Sequence, residues 1–421
     1  MGAAVLCDPM ALTDRPAAST TVEPRFPCFD GLRALAALAV FMTHTSFAGG
    51  ANAPNVLGIF FARMDGGVAV FFVLSGVLIY RPFARAHLLG TPSPAVRGYL
   101  WRRAIRIYPA YWLVVTVVVY VFGATQIPSL RNWILDYSLL NIYSPHQPDA
   151  FGPLLQSWTL STELTFYAFV PLWALLMRRL SRGDIRSRVR AQLVGVLVLI
   201  GVSALWKAFV LSAGFDDARI GQLKLWLPWW LDLFALGMAL GVLSLAVTHL
   251  GDRAPLGLAG RRAPLLCWLG ALLALWWVSA GAGLGHTTPQ IAHHLLWGQH
   301  YLYAAVALLL VLPAVFGPQD RGSSRIRGFL QTRVMVFLGM ISYGIYLWHE
   351  GWIERYLHWT GVPAFATYTS DVPFRWHTNS VISIPWFTFV LAVLALTIAS
   401  ATISWYAVEK PILRYKHRFD R

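Results

Sequence analysis

The sequence predicts an all-α protein that crosses a membrane about ten times. Two observations carry that prediction. Of the 421 residues 57% are hydrophobic and only 13% charged, with a mean hydropathy of +0.55, whereas a soluble chain carries about 25% charged residues. Several apolar runs also approach or exceed the roughly 20 residues a helix needs to cross a bilayer, and short basic clusters separate them.

Taken in order, the apolar runs place spans at 28–47, 66–84, 107–123, 158–178, 192–213, 224–247, 264–283, 298–317, 334–349 and 383–406. The spans 107–123 and 334–349 are short, and 133–143 reads as a further interfacial or re-entrant helix. Most of the 34 lysines and arginines fall in alternate connecting segments, beginning with 1–27 and ending with 407–421. Positive charge marks the cytoplasmic side, so both termini are expected there. The other loops, such as 141–157, are Pro-rich and nearly free of positive charge. The expected organisation is a cytoplasmic tail over 1–27, one membrane domain over 28–408 and a basic cytoplasmic tail over 409–421. Residues 1–25 show no apolar core of a cleavable signal peptide.

Composition excludes other classes. The net charge of +15 lies in loop clusters between apolar runs, so a nucleic-acid partner is not expected. Cys7, Cys28 and Cys267 are too few and too scattered for a disulfide framework or a metal site, and no metal is expected. The nineteen tryptophans suit interfacial belts.

The ionisable residues inside apolar runs carry the functional signal. In "FDGLRALAALAVFMTH" (29–44), ten residues lie between Arg33 and His44, an offset of eleven positions. On a helix that separation turns about 1100°, ~20° from three full turns, and rises roughly 16 Å. Both side chains therefore share one face, near opposite ends of the first span. Each could simply sit at its interface, Arg33 snorkelling to headgroups, yet ionisable groups in spans usually face a bundle interior. "FFVLSG" (71–76) places Ser75 in mid-span, where small residues also serve helix packing. "RRAIRIYP" (102–109) sets Arg102, Arg103 and Arg106 at a span end, as a positive-inside anchor or as an anion site. "SWTLSTELTFY" (157–167) carries Glu163 into a span, where a charged carboxylate costs on the order of 3 kcal/mol. Its depth approaches that of His44. "ISYGIYLWHE" (341–350) brings His349 to a similar level.

With these motifs the chain resembles the acyltransferase-3 family of membrane O-acyltransferases. The resemblance runs from about residue 26 to 413 and ends on "YAVEKP" (406–411). Leu164 and Thr165 stand where many relatives have Glu-Gln. Many relatives also carry an extracytoplasmic hydrolase-like domain after the last helix; here it is not expected, and transfer should go directly to the final acceptor. The resemblance implies transfer of an acyl group, acetyl above all, from cytoplasmic acyl-CoA to a hydroxyl of a glycan, glycolipid or secondary metabolite.

On that reading Arg102, Arg103 and Arg106 would meet the donor phosphates, Arg33 would hold the donor at its entrance, and the pantetheine arm would run along the first helix. His44 would be the general base and Glu163 would orient its ring. Ser75, Trp158, Tyr346 and His349 are the candidate substrate contacts. The rival classes are a transporter with a polar relay and a glycolipid-binding membrane protein without catalysis. Two inverted halves with matching broken helices, the sign of many transporters, are not evident in the sequence.

Overall fold

A computed structural model describes residues 26–49, 56–123, 125–145, 147–251, 262–281, 293–360 and 384–419. Among these, nine helical segments are long and apolar enough to cross a membrane, and the described residues contain no strand. The protein is a polytopic helical membrane protein. Most of the expected N-terminal tail, with Cys7, lies outside the described residues.

The helices used below are α1 (Phe29–Ala48), α2 (Gly67–Leu89), α3 (Val96–Thr116), α4 (Leu130–Ser138), α5 (Trp158–Leu180), α6 (Ile185–Ser212), α7 (Leu227–Leu250), α8 (Ala263–Trp276), α9 (His293–Val315), α10 (Arg333–Met340), α11 (Ser342–Trp359) and α12 (Ile384–Ser404). Local chemistry sets several ends. Ser129 caps α4 by accepting from Asn132 N–H at 3.2 Å, and Asp184 caps α6 from Ser187 at 3.1 Å. Gly90 ends α2 at φ +70°, a left-handed conformation that glycine adopts without a Cβ clash.

Two expected spans differ. The third begins at Val96 rather than 107, because four arginines made its first turns look like loop; arginine is a good helix former. Arg102, Arg103 and Arg106 are thus within the helix rather than before it. The ninth, expected over 334–349, is two helices that meet at Ile341 (φ −95°, ψ 6°). The second runs on to Trp359 and carries Glu350, Glu354 and Arg355. The stretch expected as an interfacial helix over 133–143 is α4 followed by a single tight turn at Asn141–Tyr143.

α2 is the central helix, packed on α1, α5, α7 and α9. Its contact with α7 is backbone against backbone. A Cβ on Gly76 would lie 2.2 Å from Phe234 O, and one on Gly237 would lie 2.1 Å from Val73 O. Small residues at such crossings allow apolar helices to pack by close contact, in a solvent that offers no hydrophobic drive. α1 is seated in the same way: a Cβ on Gly339 of α10 would meet Asp30 O at 2.0 Å. α11 packs between α1 and α12. α1 is therefore held along its length by α2, α10 and α11, and it carries Arg33 and His44 into the interior.

Candidate active site

Two cavities flank α1. The first, about 130 Å³, lies among α1, α2, α3, α5 and α11. Arg33, Arg103 and Arg106 line it together with Glu163, Ser75 and Tyr343. The second, about 360 Å³, is lined by His44, Asp65 and Gln156 and by aromatic residues including Trp158, Trp230 and Tyr303. Val68 and Tyr346 line both cavities. The one face of α1 predicted from the eleven-residue spacing thus serves two chambers that meet at a shared wall.

The first chamber is cationic. Arg33 donates from Nη1 to Asp30 Oδ1 at 3.0 Å, one turn back on α1. The Arg103 guanidinium lies over the rings of Tyr99 and Tyr167, at 6.0 and 5.7 Å. That of Arg106 lies 5.8 Å from the Trp405 ring. Such stacking orients a guanidinium without consuming its donors, and Arg103 Nε has no hydrogen-bond partner. Glu163 accepts from Ser75 Oγ at 2.5 Å. The arrangement suits an anion with several oxygens. Arg102 lines neither chamber, although the sequence suggests it beside its neighbours. Its neighbour Arg103 takes the inward position, since adjacent residues of a helix point about 100° apart.

The second chamber centres on His44. Nδ1 of His44 lies 2.9 Å from His349 Nε2 and in direct contact with Glu350 Oε1. His349 is fully buried, and its Nδ1 donates to Ile345 O at 3.1 Å. A carbonyl can only accept, so Nε2 of a neutral His349 carries a lone pair. His44 therefore faces two acceptors through Nδ1 and must present its proton there. That leaves Nε2 as the basic nitrogen of a side chain lining the chamber. A carboxylate behind a histidine fixes tautomer and ring orientation and stabilises the imidazolium once it forms.

The pairing expected between His44 and Glu163 is not what the fold builds. Glu163 sits with Ser75 in the arginine chamber, and Glu350 takes the place beside His44. Depth along a span was the only basis for that pairing, and depth does not determine which way α5 turns its carboxylate. His349 is likewise not a chamber contact but the packing partner behind His44, with rings 5.0 Å apart and stacked. Trp158 and Tyr346 line the second chamber, and Ser75 the first. Glu350 and Asp65 were not singled out in the sequence. Glu350 directly follows His349, and an acidic residue adjoining a histidine at the end of an apolar run was the available signal.

Among the described residues, His44, His349 and Glu350 are the group whose donor atoms could share a metal ion, all within 4.8 Å of one another. His44 and His349 share a hydrogen bond, and the His349 tautomer is set by Ile345 O.

The rim of the second chamber is the segment after α4. Asn141 Nδ2 donates to Ala150 O at 2.9 Å, and Gln222 Nε2 reaches Ser144 O at 2.5 Å. Asp136 lies beneath it, with a carboxyl pushed up to about 7, first by burial and then by the charge of Asp149.

A cationic chamber and a histidine–carboxylate chamber thus share a wall inside a helical membrane bundle. The family described as an acyltransferase domain matches residues 26–407. This chain belongs to the acyltransferase-3 family. It is a multi-pass membrane protein carrying the acyltransferase domain of that family. Peptidoglycan O-acetyltransferase OatA of Listeria monocytogenes is 26% identical over 77% of this chain and 48% of its own length. Putative peptidoglycan O-acetyltransferase YrhL of Bacillus subtilis is also 26% identical, over 92% of this chain and 54% of its own. The chain thus spans about half the length of these two relatives. Acyltransferase MdmB of Streptomyces mycarofaciens is 24% identical over 93% of this chain and 92% of its own. No solved structure matches the chain.

Proposed function

We propose that this acyltransferase moves an acyl group, acetyl in the simplest case, from acyl-CoA to a hydroxyl of a glycan, glycolipid or glycosylated metabolite. The observation that carries this reading is that the two chambers lie side by side along α1, with Val68 and Tyr346 lining both. The donor's phosphates meet Arg103 and Arg106, with Arg33 beside its arm. The roughly 16 Å rise from Arg33 to His44 lets an extended arm deliver the thioester to the second chamber. The two relatives named for peptidoglycan support a glycan acceptor.

His44 Nε2 takes the proton of the acceptor hydroxyl as its oxygen attacks the thioester carbonyl, and Glu350 stabilises the resulting imidazolium. The tetrahedral intermediate collapses, the C–S bond breaks, and the His44 imidazolium returns its proton to the departing sulfur, so CoA leaves as the thiol and the neutral imidazole is restored. No net proton is released. Charge in the loops supports placing the arginine chamber toward the cytoplasm, where acyl-CoA is made, with both termini on that side.

The test is thiol release from acetyl-CoA by purified protein in nanodiscs, with and without an acceptor, for wild type and His44→Ala. Acceptor-dependent release lost in the variant is expected. Release that is absent in both, or equal in both, overturns the reading.

A further inference from the structure

Two residues lining the second chamber carry hydrogen-bond acceptors that the acyl-transfer step does not use. Gln156 is 1% exposed and lines the chamber. Its Nε2 donates to the backbone oxygens of Tyr346 at 3.2 Å and Leu347 at 2.9 Å. Those two carbonyls identify the nitrogen end of the amide, so the other end is the oxygen. Gln156 Oε1 is buried and has no partner. Buried polar atoms are almost always paired, and one that is not needs an explanation.

Asp65 lines the same chamber. The Tyr303 hydroxyl donates to its Oδ1, and Gln299 Nε2 donates to the Tyr303 oxygen at 3.1 Å. The carboxylate is therefore held in place by Tyr303, itself a lining residue, and with about four lone-pair sites it keeps capacity for further donors. Trp158, Trp230, Phe47 and Phe151 supply apolar ring faces around these groups, and no Arg or Lys is among the described lining residues. The volume, about 360 Å³, is that of a small-molecule pocket.

Resting on the acyl-transfer reading, we propose that Asp65 and Gln156 bind hydroxyls adjacent to the one acylated, and so select a neutral polyhydroxylated ring as acceptor. A chamber of acceptors needs a ligand of donors. A lone alcohol leaves Gln156 Oε1 unpaired, and an acidic sugar brings its carboxylate against Asp65. The selectivity is opposite to that of the arginine chamber, so the two substrates cannot exchange places.

The experiment measures thiol release from acetyl-CoA in nanodiscs with octyl glucoside, its monodeoxy analogues, octanol and octyl glucuronide as acceptors. Octyl glucoside should be used with kcat/KM about tenfold or more above octanol and the glucuronide, since a site built to bind a hydroxyl rejects analogues lacking it. Asp65→Asn keeps the shape and the bond from Tyr303. It should raise the glucoside KM about tenfold, leave the acetyl-CoA KM within about twofold, and become indifferent to the loss of one particular hydroxyl. The deoxy series tests the Gln156 contact without altering the protein. Equal use of octanol, preference for the glucuronide, or an unchanged glucoside KM in Asp65→Asn would overturn the proposal. If His44-dependent hydrolysis of acetyl-CoA persists but no glycoside accelerates it, the acceptor assignment falls while acyl transfer stands. If wild type and His44→Ala are equally inert toward acetyl-CoA, the acyl-CoA reading falls, and this proposal with it.

Discussion

The two ends of α1 differ in what surrounds their ionisable residue. At one end Arg33, paired with Asp30, joins two more guanidiniums and the Glu163 carboxylate that Ser75 holds. At the other, His44 is enclosed by a carboxylate and a second imidazole, in a chamber whose described lining has no lysine or arginine. The first is an environment for holding anions. The second is an environment for moving a proton. On the proposed function one helix would separate recognition from chemistry by three turns, so a change at either end should leave a distinct kinetic signature.

His44→Ala should break the comparison most severely. Loss of a general base costs about 10²–10⁴-fold in rate, and kcat should fall into that range with the acyl-CoA KM little changed. Near-wild-type turnover would remove the chemical role from this end altogether. Glu350→Gln comes next, with kcat lowered by about 10²-fold, because an amide can still hydrogen-bond Nδ1 but cannot stabilise an imidazolium by charge. Thermal melting of the same preparation should stay close to wild type; a large drop there with normal turnover would make Glu350 a structural partner only.

Effects at the other end should appear in KM. Replacing Arg103 and Arg106 by Ala should raise the acyl-CoA KM about tenfold and change kcat no more than about threefold, since phosphate contacts bind ground and transition states alike. Lysine should restore only part of this, because an ammonium cannot fork two oxygens. An unchanged KM would reduce the arginines to helix anchors. The smallest effect is expected for Glu163→Gln, which removes a negative charge from the anion chamber. The acyl-CoA KM should fall by about twofold to fivefold with kcat within about threefold. A hundredfold loss of kcat would return Glu163 to the histidine and collapse the distinction between the two ends.

How much of this was legible depended on which dimension was needed. Apolar runs mark spans directly, so nine expected spans correspond to apolar helical segments long enough to cross. The Arg33–His44 relation was legible because both residues ride one helix, where geometry follows from spacing alone. Relations between helices were not. The pairing with Glu163 assumed that equal depth means contact, whereas the rotation of α11 brings Glu350 to His44. The interruption at Ile341 has no Pro beside it and leaves the hydrophobic pattern intact. Asp65 sits at the edge of an apolar run in "MDGG", where it reads as a turn residue; only Tyr303, 238 positions away, shows that it is held in place.

The glycine crossing of α2 and α7 has a consequence for traffic. With Gly76 and Gly237 bringing backbones together, a Cβ does not fit in the seam, and neither does a lipid tail. A membrane-borne acceptor cannot slip in sideways between these two helices. Phe151, by contrast, is 40% exposed and also lines the second chamber, so that chamber approaches the surface at the loop rather than at this seam.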